Sequence, residues 1–559
     1  MPQTQTSGIG LAQSIDRAAE IWAQPASRVT DAGAILLILV FCMAAAMIGA
    51  VHTRIFGHDI FTFFDAGWRV LNGQRPDIDF SPSMGPLLCL LTAAGLELAR
   101  GSVNSIGYTG ALVGAIAGLW GYGLVRRRMP ALPAVLIALA LTLIAVAPFP
   151  IGLLPNLLSH AMAYNRYGYA LLGVIVVECF RPDDASLPGG ISTGVISCAL
   201  LFLKPSYCLV ALGFAAGSLA FARPTRRRVV GMLLGASLAG FAMMAYLRFD
   251  FLAAWNDLRM MGQARGAGLS LWNIRWSFLK GLADFLPLGL LALFASVIRS
   301  EKEPIFLAAQ PLFVTALFWI GGAALLATNA QPNGYPLNAV LAILLVELGR
   351  RANSAPAIAP RFLKAETILV LLGLSSCILI LAGNASGLAY ALFDKGRTPP
   401  DSVLRFDAPR LSSLFFYDVP DGSDADQRSN GRVYVAYVND GLNLIRRVSP
   451  ERETIFTLDM VNPFSYGLLR RPPRGGTPTL AFNNTFSDQH KPSPEWLFGS
   501  ADVVMVPKHP ASAETLARAM FRNYLGGIQA GFRLCAESDW WQLYKRPGNL
   551  QGCSAVSAR

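Results

Sequence analysis

Long stretches without a charged residue constrain this chain more than any other feature. A helix needs roughly 20 apolar residues to cross a bilayer core. No Asp, Glu, Lys or Arg occurs between Asp31 and Arg54, Arg100 and Arg126, Asp184 and Lys204, Lys204 and Arg223, Arg228 and Arg248, or Glu366 and Asp394. The uncharged stretch from Glu303 to Glu347 has room for two such helices, with QPNGYP at Gln331 to Pro336 as the turn between them. A soluble multidomain protein is excluded, in keeping with a hydrophobic content of 53%. The 559 residues leave room for a membrane domain and one soluble domain.

Residues 84–99 (MGPLLCLLTAAGLELA) decide the orientation, because counting them as a span inverts every later loop. Read as an interfacial helix, they leave about eleven spans. The loops at 126–130, 181–190, 223–228, 299–304 and 350–365 then face the cytoplasm. They hold 14 Arg or Lys in 43 residues, against 8 in 103 for the loops at 52–102, 150–165, 248–275 and 328–335. That is the positive-inside asymmetry. The expected organisation is a cytoplasmic segment 1–31, a transmembrane domain 32–383 whose first outer loop is 52–102, and an outer domain 384–559. The net charge of +12 is then met by anionic lipid head groups at the cytoplasmic rims and requires no nucleic acid. Residues 1–31 are mostly polar and carry Asp16, Glu20 and Asp31, so no cleavable signal is read and the first span is expected to direct its own insertion.

The outer domain reads as mixed α/β. Strands are expected at 431–438 (GRVYVAYV), 453–459 (ETIFTLD) and 501–507 (ADVVMVP), helices at 440–447 and 512–528, and a closing hairpin from FRLCAES and WWQLYKR. Cys535 and Cys553 are its only cysteines, and their spacing leaves a disulfide and two free thiols equally open. The six others lie in or beside apolar helices and read as packing residues. No phosphate-binding glycine motif and no Cys/His metal spacing is present in this domain.

Residues 54–86 crowd Asp59, Asp65, Asp77 and Asp79 with Arg54, Arg69 and Arg75 at the membrane surface, where acids commonly serve chemistry or ion handling. Within FTFFDAGWRVL, Phe61, Phe64, Trp68 and Leu71 recur at helical spacing, so residues 60–72 are expected to form an amphipathic helix lying on the membrane. Asp59 falls at its start, where a carboxylate caps exposed N–H groups. From spacing alone, capping is the plainer reading of Asp59. Asp77 and Asp79 follow a turn and read as solvated loop acids.

A span, an Asp beside an aromatic amphipathic helix, an Asn-Gly-x-x-Pro turn and an apolar helix opened by Gly-Pro-Leu follow one another here. The residues are Asp59-Ile-Phe-Thr-Phe-Phe, Ala66-Gly67, Leu71-Asn-Gly-Gln-Arg-Pro76 and Gly85-Pro86-Leu87. This succession resembles the N-terminal half of the GT-C superfamily of polyprenyl-phosphate-sugar glycosyltransferases, in particular its bacterial mannosyltransferase-like and lipid-glycosylating branches. The resemblance implies a polytopic α-helical membrane protein of the bacterial inner membrane with a C-terminal α/β periplasmic domain. It implies transfer of a sugar from a polyprenyl-phosphate donor to a hydroxyl of a lipid, glycan or protein acceptor.

The resemblance also implies that an Asp of the first outer loop is the catalytic base. Asp59 fits that position best, with Asp65, on a different helix face, as the other candidate. A carboxylate suits the role because it need only accept the hydroxyl proton as the new C–O bond forms. The leaving lipid phosphate must be held by cations or donors at the membrane edge. The candidates are Lys204 in LFLKPSY, Arg166, His160 and Asn165 in SHAMAYNRYGYA, and Arg259 and Arg265 in the 248–275 loop. Snorkelling is the alternative for Lys204, and packing or capping for His160. Residues 148–177 contain no Asp or Glu to supply a second acidic motif, so a transferase using neither metal nor cofactor is expected. A transporter, flippase or polymer ligase would also show many spans. A transporter is expected to add inverted repeats and acids near the midplane, and neither is read here. A scaffold or sensor acting through the outer domain is the remaining class.

Overall fold

The computed structural model describes residues 20–180, 186–222, 224–266, 271–301, 303–329, 331, 333–351, 360–397, 403–418, 431–510, 514–550 and 552–553. Along the first part of the chain run α1 (Arg28–Ile48), α2 (Asp59–Leu71), α3 (Pro86–Leu98), α4 (Ser105–Val125), α5 (Ala131–Val146), α6 (Ala163–Phe180) and α7 (Leu187–Leu203). They continue as α8 (Pro205–Ser218), α9 (Arg226–Tyr246), α10 (Phe251–Gly266), α11 (Leu271–Ser300), α12 (Gln310–Thr328), α13 (Asn338–Arg351) and α14 (Pro360–Gly396). Among the described residues, six helices (α1, α4, α9, α11, α12 and α14) contain stretches long and apolar enough to cross a membrane. α3, α5, α7 and α8 are apolar but shorter, and α6 is buried along its whole length. This is the helix set of a multi-pass membrane protein.

Local chemistry sets the helix boundaries. Ser27 caps α1 in a reciprocal box with Thr30, Ser186 caps α7, and Thr225 caps α9, each occupying N–H groups that the first turn leaves free. α3 has 13 residues and so rises only about 20 Å, short of a hydrocarbon core of roughly 30 Å. It packs against α2, α4 and α7 instead. Between α7 and α8 the chain breaks at Lys204, which is extended at φ −167° and ψ 112°. The cause is Pro205, whose ring drives the preceding residue out of the helical region. Gly85 fits against this break: its N–H donates to Leu203 O at 2.9 Å, and a Cβ there would stand 1.8 Å from Phe202 O. The first loop is thereby held beside Lys204.

In the C-terminal domain, β1 (Val403–Arg405) pairs antiparallel with β2 (Phe415–Tyr417). Thr53 of the first loop joins β2, donating to Phe415 O and accepting from Tyr417 N, both at 2.9 Å. A second sheet has the order β3-β4-β6-β5, from β3 (Ile455–Thr457), β4 (Val503–Pro507), β5 (Arg533–Glu537) and β6 (Trp541–Lys545). β3 runs parallel to β4 and the other pairs are antiparallel. Cys535 and Cys553 are disulfide-bonded.

Two expectations are corrected. Residues 431–438 are no strand: they begin α15 (Gly431–Val448), and the helix expected at 440–447 is its second half. Tyr434, Val438, Leu442 and Ile445 recur every three to four residues on its buried face, so a helical period over the whole segment outweighs the β-branched alternation at its start. The helix expected at 512–528 is α16 (Glu514–Gly531), with 512 and 513 outside the described residues. The second correction concerns α2, whose aromatic residues pack on protein. Phe61, Phe63 and Phe64 are at most 2% exposed, Phe64 stacks on Tyr466 at 4.7 Å, and Trp68 Nε1 donates to Arg470 O at 2.7 Å. The C-terminal domain packs on Phe61, Phe64 and Trp68 of the apolar stripe, while Leu71 is 39% exposed.

Candidate active site

The break that Pro205 imposes turns Lys204 inward, where it is 4% exposed. Its ammonium donates to Asn165 Oδ1 at 3.2 Å and to the side-chain oxygen of Asn329, and it lies 4.9 Å over the Tyr164 ring. Asn329 ends α12 and is itself held, its Nδ2 donating to the Tyr207 hydroxyl at 3.1 Å and to Gln331 Oε1 at 3.2 Å. Arg265, in the last turn of α10, donates from Nε to Asn484 Oδ1 at 2.6 Å and from Nη1 to Thr328 O at 3.1 Å. Asn484 comes from the C-terminal domain, in a tight turn where Asn483 takes φ +57°, a left-handed conformation that Asn tolerates better than most residues. Lys204, Arg265, Asn329, Asn483 and Asn484 line one cavity of about 400 Å³, and its lining contains no Asp or Glu.

Among the described residues, each cation here donates to neutral oxygens. Taking an ion out of water costs several kcal/mol unless a counter-charge or full hydrogen bonding offsets it. Burial accordingly pulls Arg265 below its ordinary pKa. An anion in this cavity could accept charge-assisted hydrogen bonds from both side chains.

Asp59 is the first residue of α2, one step inside the N-cap residue His58. Its Oδ1 lies 3.1 Å from His58 Nε2, with the side chain 20% exposed. Tyr164 lies within electrostatic range of both Asp59 and Arg265. Asp65 is in a different setting. It is fully buried, and its Oδ2 accepts from Arg69 Nε at 2.8 Å. Arg69 also donates to Gln74 Oε1, Pro473 O and Gly475 O at 3.2, 3.0 and 2.9 Å. Asp65 is thus the counter-charge of one of the side chains that tie α2 to the C-terminal domain.

The remaining candidates divide. Asn165 joins Lys204, accepting from its ammonium. Arg166 stands outside that cavity's lining, donating to Phe149 O at 2.7 Å, Ile144 O at 3.1 Å and Asn384 Oδ1 at 3.1 Å. His160 Nε2 lies 3.0 Å from Gly49 O and fastens the loop entering α6 to the end of α1. Arg259 is exposed on α10. Asp77 is a buried residue, not a solvated loop acid. Its carboxyl interacts electrostatically with that of Asp257 in α10, and Ser81 Oγ donates to Asp257 Oδ1 at 2.8 Å. Burial pushes Asp77 up to about 6, and burial together with the adjoining carboxyl pushes Asp257 up to about 8. One acid, Asp284, does lie within a candidate span, Arg275–Ser300 of α11. Sequence reasoning missed Asn329, Asn483 and Asn484, whose only local signal is an Asn in a turn-forming context, TNAQPNG and FNNTF.

No protein-family model matches this chain, and no curated protein sequence matches it. Among solved structures it is similar to ArnT from Cupriavidus metallidurans bound to undecaprenyl phosphate, at 13% identity and a TM-score of 0.45, covering 93% of this chain and 99% of that one. It is similar to the arabinofuranosyltransferase AftD from Mycobacteria, at 12% identity and a TM-score of 0.41, covering 95% of this chain and 40% of AftD. A third likeness is to the archaeal oligosaccharyltransferase AglB from Archaeoglobus fulgidus, in complex with an inhibitory peptide and a dolichol-phosphate. There the identity is 12% and the TM-score 0.32, covering 94% of this chain and 75% of AglB. These likenesses are distant in both sequence and shape.

Proposed function

We propose that this chain is a membrane glycosyltransferase of the GT-C type that moves a sugar from a polyprenyl-phosphate donor to an acceptor hydroxyl. The observation that carries this reading is the pair Lys204 and Arg265, two cations with neutral partners lining one acid-free cavity beside α2. In the proposed step the acceptor oxygen attacks the sugar C1, the bond from C1 to the phosphate oxygen breaks, and its electron pair leaves on the lipid phosphate. Lys204 and Arg265 hold that phosphate, and Asp59 takes the acceptor proton. Leu258 and Met261 in the same wall suit the first isoprene units. Asn483 and Asn484 bring the C-terminal domain to the cavity edge, where it would help choose the acceptor. The charge asymmetry of the loops supports an outer, periplasmic position for the domain and the cavity.

Titrating purified protein in nanodiscs with undecaprenyl phosphate tests the phosphate site. A hydrogen bond to a charged group contributes about 1.5–3 kcal/mol, so Lys204→Ala and Arg265→Ala should each weaken binding by roughly ten- to a hundredfold. Lys204→Arg should keep a good part of it, since the charge remains. Unchanged affinity in both Ala variants would return Lys204 to an interfacial anchor and remove the phosphate site.

A further inference from the structure

A second cavity, of about 510 Å³, lies between α11, α13, α14 and the loop leading into α6. Its wall is largely apolar, with Phe149, Ile151 and Leu288. Its mouth opens on the lipid-facing side of α14, since Leu379 both lines it and is 74% exposed. Two opposite charges face into this apolar space. Asp284 lines it from within a candidate span, and Arg166 lines it from the start of α6.

Neither charge meets an opposite charge among the described residues, and Asp284 takes only a backbone hydrogen bond from Gly334. Asp284 has no ion-pair partner among the described residues, and its buried Oδ2 has no hydrogen-bond partner. Asn338, 5% exposed and lining the same cavity, has an unpartnered Oδ1. Arg166 satisfies Nε and Nη1 with the acceptors named above, while Nη2 makes no hydrogen bond among the described residues. An uncompensated carboxylate within a span is costly and marks a functional site by default. The unused groups lining the cavity are thus two acceptors, on Asp284 and Asn338, and a guanidinium nitrogen of Arg166.

We propose that this cavity binds a phospholipid whose head group carries a primary ammonium. The ammonium brings three N–H donors and one positive charge to Asp284 and Asn338. The phosphate reaches Arg166 Nη2, and the acyl chains leave past Leu379 into the bilayer. A quaternary ammonium has no N–H to donate, and a glycerol head group has no positive charge, so both fit less well. The site is separate from the Lys204 cavity and stands whether or not the transferase reading holds.

The test is native mass spectrometry of the full chain equilibrated with vesicles of equal phosphatidylethanolamine, phosphatidylcholine and phosphatidylglycerol. Wild type should retain phosphatidylethanolamine at least tenfold over the other two, and Asp284→Asn should lose that preference while melting normally. Equal retention of all three, a preference for phosphatidylglycerol, or an undiminished preference in Asp284→Asn would overturn the proposal. If Asp284→Asn fails to fold, the wild-type distribution and the weaker retention expected of Asn338→Leu decide alone. Undecaprenyl phosphate, titrated into the same samples, should bind Asp284→Asn as it binds wild type, which separates failure here from failure of the transferase reading.

Discussion

Replacing Asp65 by Asn should cost this protein its stability, not its chemistry. Asp65 is 0% exposed and Arg69 1%, and among the described residues Asp65 is the one charged partner Arg69 has. The substitution conserves volume, so no void opens, and the Asn oxygen can still accept from Arg69 Nε. The counter-charge is lost. Removing one member of a buried pair costs about 3–5 kcal/mol. The new amide N–H groups add to the strain, because the carboxyl oxygen Oδ1 they replace has no hydrogen-bond partner. At the 2–4 °C per kcal/mol of a domain this size, the loss corresponds to a fall in melting temperature of roughly 6 to 20 °C. A fluorescence melt in detergent reads it, and limited proteolysis should show the loop at Pro473 and Gly475, to which Arg69 donates, loosened from α2. Asp59→Asn, at a partly exposed site, should melt within a degree or two of wild type. An unchanged melt in Asp65→Asn with collapsed turnover would refute the reasoning and make Asp65 the base.

Three further outcomes follow. The folded-state values of Asp77 and Asp257 lie above the ordinary carboxyl value of 3.8, so the docking of α10 on the first loop is complete below that value and is lost as pH rises through about 6 and about 8. Hydrogen exchange in α10, corrected for intrinsic pH dependence, should increase across that window and flatten in Asp257→Asn; a flat wild-type profile would count against the pair. Breaking the disulfide with Cys535→Ser should destabilise the C-terminal domain by about 3 kcal/mol, the scale for a closed loop of 18 residues, and an unaltered denaturation midpoint would deny it that role. Cysteine accessibility labelling at the exposed positions Asp539 and Arg227 should mark opposite faces of the membrane, and labelling of both from one side would reverse the reading of α3.

What could be read from the sequence was what neighbours in the chain decide. The helix break at Lys204 follows from Pro205, and the aromatic stripe of α2 from a spacing of three to four residues. The same stripe shows that something must cover it without showing what, and here a protein domain took the place expected of lipid. The strand expected at 431–438 failed because a short window of Val and Tyr suits either period, and only the eighteen residues of α15 distinguish them. Asn329, Asn483 and Asn484 stayed hidden for another reason. Uncharged amides carry no signature of their own, and Asn329 and Asn484 meet Lys204 and Arg265 only once residues more than a hundred positions apart are brought together. Asp284 went unread because its span is flanked by Lys280 and Arg299, which hid it among ordinary interfacial charges.

Turnover of Asp59→Asn tests the central claim most directly. Purified wild type and variant, reconstituted with a panel of radiolabelled polyprenyl-phosphate sugars and membrane extract as the acceptor source, would be compared for sugar transferred and for undecaprenyl phosphate bound. Transfer by wild type, a fall of roughly a hundredfold or more in the variant, and carrier binding and melting temperature left near wild type are the expected results. Transfer by Asp59→Asn at the wild-type rate would contradict the account, as would a wild-type protein that binds the carrier yet transfers no sugar from any donor.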